Sequence, residues 1–105
     1  MKIAITSVGN SLSSNVDERF GRCAFFVIYD TDTKNVEFLP NHAKDAEGGA
    51  GTAAVQLIAS QQVAKVISGQ FGVKVKPLLD SLKIQMISIK GSHSVQEIIN
   101  MIEER

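Results

Sequence analysis

The sequence predicts one α/β domain whose elements run β-β-β-α-β-α-β-α. Three observations carry that reading. Up to residue 47 the apolar residues fall in short β-type runs separated by polar turns. From residue 48 the period changes, and three helical stripes alternate with two further short apolar runs. Glycine clusters, Gly48-Gly49-Ala50-Gly51 and Gly69-Gln70-Phe71-Gly72, stand where helices begin. A chain of 105 residues has no room for two domains at about 150 residues each.

The elements follow in order. Lys2-Ile3-Ala4-Ile5-Thr6 is a strand, and its consecutive apolar residues suit burial on both faces. Residues 7–22 form a long polar connection, of a length that in a compact domain usually serves function. Ala24–Thr31 and Val36–Leu39 are two more strands, joined by the hairpin residues Asp32-Thr33-Lys34-Asn35. The first helix runs from the glycines at 48–51 to about Gln62, stacking Ala50, Ala54, Leu57 and Ile58. Lys65–Ser68 is a strand. The second helix carries Val75, Leu78, Leu79 and Leu82 on one face; Pro77 suits its first turn but sits late if the helix begins at Val73. Ile84–Ile89 is the last strand. Ser94-Val95-Gln96-Glu97 is a capping box, opening a helix with the stripe Val95, Ile98, Ile99, Ile102.

Directions turn this list into a site. If the first strand runs up, the second runs down, the hairpin sends the third up, and each helix returns the chain so that the last two strands also run up. With right-handed crossovers, residues 7–23, 41–51, 69–72 and 90–94 then gather at one sheet edge, the carboxyl edge where such folds hold ligands. Those connections contain Arg19, Arg22, Cys23, His42, His93 and most of the glycines.

Composition narrows the function. Eleven basic residues balance eleven acidic ones, so the chain has no electrostatic footprint for nucleic acid or an anionic membrane. The longest apolar run, Ala24–Tyr29, is far short of a membrane span, and Met1-Lys2 leads straight into a strand, so neither a span nor a signal peptide is expected. A single cysteine excludes an internal disulfide and a self-built four-cysteine metal site, and suits the cytosol.

Several constellations bear on chemistry. Gly49-Ala50-Gly51-Thr52-Ala53-Ala54 has the spacing G-x-G-x-x-A, but no strand leads directly into it and no acid follows at about 20 residues. Close helix–sheet packing is the favoured reading, with an anion at the helix start as the other. Gly69–Gly72 lacks the Lys-Ser/Thr of a phosphate loop. Cys23, His42 and His93 are the soft ligands; their spacing matches no zinc motif, so each reads either as an ordinary packed or solvated residue or as a contact to a preassembled cluster. Asp17, Glu18, Asp45 and Glu47 read as solvated loop charge. No strand carboxylates or nucleophile turn support an enzyme. In Arg19-Phe20-Gly21-Arg22-Cys23, two arginines suit a multiply charged anion, while Phe20 equally suits an ordinary strand entry into the core.

Met1-Lys2-Ile3-Ala4-Ile5, Asp17-Glu18-Arg19-Phe20-Gly21-Arg22 before an aromatic strand, Asn41 before Gly48-Gly49-Ala50-Gly51, and Val66-Ile67-Ser68-Gly69-Gln70-Phe71-Gly72 with the Leu79/Leu82 helix form one pattern. Over essentially the whole chain it resembles the dinitrogenase iron–molybdenum cofactor biosynthesis family of small accessory and carrier proteins, which includes the C-terminal domain of the cofactor-assembly radical enzyme. The resemblance implies a ribonuclease H-like three-layer α/β/α fold with a mixed five-stranded sheet. It also implies a non-catalytic role: binding an iron–sulfur-containing cluster or an iron–molybdenum cofactor precursor and passing it between donor and acceptor proteins. Carried over by position, Arg19, Gly21, Arg22, Gly49, Gly51, Gly69 and Gly72 would line the site, with Cys23 or His42 as the iron contact and His93 nearby. This chain is minimal and poor in Cys and His beside cluster-carrying members. Two other functions fit the residues: a module for a nucleotide or phosphorylated metabolite held at helix N-termini, and a protein–protein adaptor.

Overall fold

The computed structural model describes residues 1–104. Its strands are β1 (Lys2–Ser7), β2 (Phe25–Asp30), β3 (Val36–Pro40), β4 (Val63–Ser68) and β5 (Gln85–Ser88), and its helices α1 (Ala50–Ala59), α2 (Val75–Ser81) and α3 (Val95–Glu103). They form one mixed sheet in the order β3-β2-β1-β4-β5. β2 is antiparallel to both β1 and β3, while β4 is parallel to β1 and β5 to β4, so the directions deduced from the sequence hold.

Side chains alternate across each strand and build two cores. Ala4, Phe26, Ile28 and Val66 pack with Ala54, Val55, Ile58, Val75 and Leu79 of α1 and α2. Ile3, Ile5, Val27, Tyr29 and Ile67 pack with Val95, Ile98 and Ile99 of α3. Two helices thus cover one face and one helix the other. Ile3, Ala4 and Ile5 are all buried because β1 is the central strand of this sandwich.

Element ends differ from expectation for local reasons. α1 stops at Ala59, short of Gln62, because Gln62 adopts the left-handed conformation (φ 60°) that turns the chain into β4 two residues earlier than expected. α2 begins at Val75, not Val73, which puts Pro77 in the first turn where a missing N–H breaks no helical bond. Leu82 closes α2 as its C-cap and is half exposed, so it leaves the apolar stripe. The capping box is formed in full: the Ser94 hydroxyl accepts from the Glu97 N–H at 3.1 Å, and the Glu97 carboxylate accepts from the Ser94 N–H at 2.8 Å. No helix among the described residues is long and apolar enough to cross a membrane.

Candidate functional site

The connection after β1 is stitched across the carboxyl ends of three strands, and Asp17 is its anchor. Its N–H donates to the Thr6 carbonyl at 3.2 Å, and its own carbonyl accepts from Thr6 Oγ1 at 2.7 Å and from the Gly69 N–H at 3.2 Å. Its carboxylate accepts the Arg19 N–H at 2.9 Å, an Asx turn that points the chain outward. Asp17 is therefore buried, and the expectation of solvated loop charge fails for it. The D-x-R spacing was the available signal, since a turn aspartate two residues before a chain reversal commonly caps its own backbone. Next to it, the Val16 N–H donates to the His93 carbonyl at 2.8 Å, and Arg19 bridges to Gln70. A Cβ on Gly69 would lie 2.6 Å from Glu18 Cα, so only glycine lets these two backbones meet.

Two connected cavities lie along this seam. One, of about 270 Å³, is lined by Val16, Glu18, Gly69, Gln70, Ile89, Lys90 and Gly91. The other, of about 460 Å³, adds Val8, Asn15, Asp17, Arg19 and Ser92, and shares Val16, Glu18 and Gly91 with the first. Together they make an open groove of mixed polarity over the ends of β1, β4 and β5, with Arg19 and Lys90 beside Asp17 and Glu18 in its lining. Arg19 is exposed, and only its Nε approaches Asp17, at 3.5 Å. Its terminal guanidinium nitrogens face no partner among the described residues, and neither does the Lys90 ammonium. Such a groove can hold an anion by charge and hydrogen bonding.

The residues singled out in the sequence divide. Arg19 and Gly69 line the groove. Gly21, Arg22, Cys23, His42, Gly49 and Gly51 belong to the β2–β3 side. Gly21 rests on the first turn of α1, where an added Cβ would meet Gly51 Cα at 3.0 Å. Arg22 is not free for an anion: its Nη1 donates to the Lys44 and Ala46 carbonyls, both at 2.7 Å, and holds the connection after β3 in place. Cys23 is fully buried, its thiol donating to the Phe20 carbonyl at 3.4 Å. Burial, with help from the nearby Asp17 charge, pushes its pKa up to about 12. A protonated thiol sealed in the core does not fit the expected iron contact. Phe20 is buried too, against Phe26 and Phe71, so the strand-entry reading of Arg19–Cys23 holds for its centre, while both arginines are exposed and only the Arg22 side chain is tied to a neighbouring loop.

His42 is exposed beyond the end of β3, and His93 follows β5 with Nε2 3.1 Å from the Lys90 carbonyl. β3 and β5 are opposite edges of the sheet, about 19 Å apart at four strand spacings, so the two imidazoles cannot share one ion. Among the described residues no group of three His, Cys, Asp or Glu comes together to hold a metal ion. Gly49 caps α1 in the left-handed region (φ 73°), with no side chain capping the helix, and Gly72 is exposed beside Val73. Asn41, buried, ties the two halves of this side by donating to the Gly21 and Cys23 carbonyls at 3.1 and 2.9 Å. Gln70 and Lys90 were missed by sequence reasoning, because isolated polar residues in loops carry no spacing signal.

Comparison with known proteins agrees with this architecture. The family model for dinitrogenase iron–molybdenum cofactor proteins matches residues 1–105. The apo form of the orange protein from Desulfovibrio gigas is similar at 30% identity and TM-score 0.88, over 96% of this chain and 85% of that one. A Thermotoga protein described as a candidate NifB protein is similar at 35% identity and TM-score 0.84, over 98% and 87%. A candidate dinitrogenase from Methanocaldococcus jannaschii shares the fold at 18% identity and TM-score 0.67, over 97% and 86%. No curated protein matches the chain in sequence.

Proposed function

The chain belongs to the dinitrogenase iron–molybdenum cofactor family, and from that premise we propose that it binds a metal–sulfur cluster or iron–molybdenum cofactor precursor as cargo and passes it on without transforming it. The cargo sits in the groove over β1, β4 and β5. The observation that carries this reading is the pairing of an outward-facing guanidinium, Arg19, and an unpaired ammonium, Lys90, on a floor of loops locked together through Asp17. Sulfide-rich clusters are multiply charged anions, and the Arg19 guanidinium and Lys90 ammonium, on a floor that also carries Asp17 and Glu18, suit an intact anion better than ligand-by-ligand assembly. The relatives support it: one is solved in an apo form, a term that implies a loaded state, and another is described as a NifB candidate. The role is that of a cytosolic carrier between a donor and an acceptor protein, with no catalytic step.

Anaerobic titration with a synthetic iron–sulfur cluster, then desalting, visible absorption and iron analysis, tests the proposal. Stoichiometric iron is expected on the wild type. Arg19→Ala weakens retention by about tenfold, the scale of one charge-assisted contact, whereas Cys23→Ala and His42→Ala retain it. No iron on the wild type, together with thermal stabilisation by ATP or inorganic phosphate, would replace the cluster by a phosphorylated ligand at the same groove.

A further inference from the structure

β5 ends the sheet on one side, and among the described residues no strand pairs with its outer edge. On the α3 face this corner is thinly covered. An apolar cavity of about 260 Å³ opens between α3 and the β4–β5 pair, lined by Ile67, Ile87, Ile89, Ile98 and the half-exposed Met101. Lys65 is the only charged residue lining it. Lys83 stands just before β5 and Lys90 just after it, and no acid occurs from residue 83 to residue 93. None of the three lysines makes an ion pair or side-chain hydrogen bond among the described residues.

We propose that the β5 edge and this cavity are the docking surface for an extended acidic segment of a partner protein. The segment adds to the sheet as a sixth strand and sets alternate apolar side chains beside Ile87 and Ile89, with its carboxylates against Lys83 and Lys90 at the two ends of the edge. Charge selects the occupant. A second copy pairing through the same edge would bring Lys83 and Lys90 against their own counterparts, the arrangement by which edge lysines block self-pairing. An acidic strand turns the same lysines into attraction and fast association. The surface also touches the cargo groove, since Ile89 lines both cavities. A partner seated here would lie beside the cargo; that step alone rests on the function proposed above, and the docking does not.

The test uses the full chain without cargo and two synthetic peptides of about eight residues, one alternating isoleucine with glutamate and one isoleucine with lysine. Binding is followed by amide chemical shifts. The acidic peptide is expected to move the resonances of residues 85–89, to weaken as salt rises, and to bind about tenfold less well to Lys83→Glu. Lys83 is exposed in the turn before β5, and an unchanged amide spectrum elsewhere shows that the variant folds. Equal binding of the basic peptide, shifts mapping to β3, a helical bound peptide, or no shifts at millimolar peptide would each overturn the proposal. Lys83→Glu is expected to leave cluster retention intact and Arg19→Ala to leave peptide binding intact, so docking and cargo binding fail separately.

Discussion

At the scale of single residues, the two kinds of surprise have opposite causes. Cys23 and Arg22 carry reactive chemistry in the sequence, yet the fold uses both for structure: the thiol fills a gap under Phe20 and the guanidinium caps two loop carbonyls. Asp17 carried only the faint signal of a turn aspartate and became the centre of the loop network. A sequence shows which groups are present at an edge but not which way each side chain turns, and here that direction decides. A consequence for Cys23 is measurable. With its pKa raised from 9.0 to about 12, the folded state keeps the proton that the unfolded thiol loses. Its contribution to stability is therefore steady below pH 9 and falls as pH rises from there toward 12. Alkylation by iodoacetamide at pH 8 should run at least about a hundredfold slower in the native protein than in denaturant, at the rate set by opening. Labelling at the speed of a free thiol would show that Cys23 is exposed in solution.

Among the elements, α3 was the most legible, because a capping box and a 3.6-residue stripe point to the same start. Ser94→Ala is expected to cost about 1 kcal/mol in urea unfolding. The pH dependence resides in Glu97. Its carboxylate is held below its ordinary 4.5, chiefly by the Ser94 N–H, with the Ser94 hydroxyl contributing less. A depressed carboxylate stabilises the fold above its unfolded pKa, so this contribution is present at neutral pH and is lost as pH falls from about 4.5 through the folded value. Glu97→Gln should flatten that part of the stability profile, while Ser94→Ala, which keeps the backbone donor, should retain most of it. The ends of α1 and α2 were less legible. One depended on Gln62 turning left-handed and the other on where Pro77 fell in its turn, and both are settled by tertiary fit more than by local pattern.

For the whole molecule, strand directions could be worked out because each crossover rule acts on the entire chain, and the carboxyl edge followed from them. Which strands lie outermost was not legible, and that order is what separates His42 from His93. The finished sheet has one tyrosine and no tryptophan. Tyr29 donates to Glu103 Oε2 at 2.6 Å, and Lys34 pairs with the same carboxylate, so β2 and the hairpin hold the far end of α3. Tyrosine absorbance should therefore unfold at the same urea concentration as helical circular dichroism; a separate, earlier tyrosine transition would mean that α3 peels away by itself. The near end of α3 is held differently. The N–H groups of Val95 and Gln96 donate to the carbonyls of Ser14 and Leu12, both at 2.9 Å, so the helix's first turn is completed by the connection that floors the groove. Anyone building chimeras between relatives must therefore move residues 8–17 and α3 as one cassette: transplanting the connection alone would strip a distant helix of its cap, and replacing the helix alone would unseat the groove.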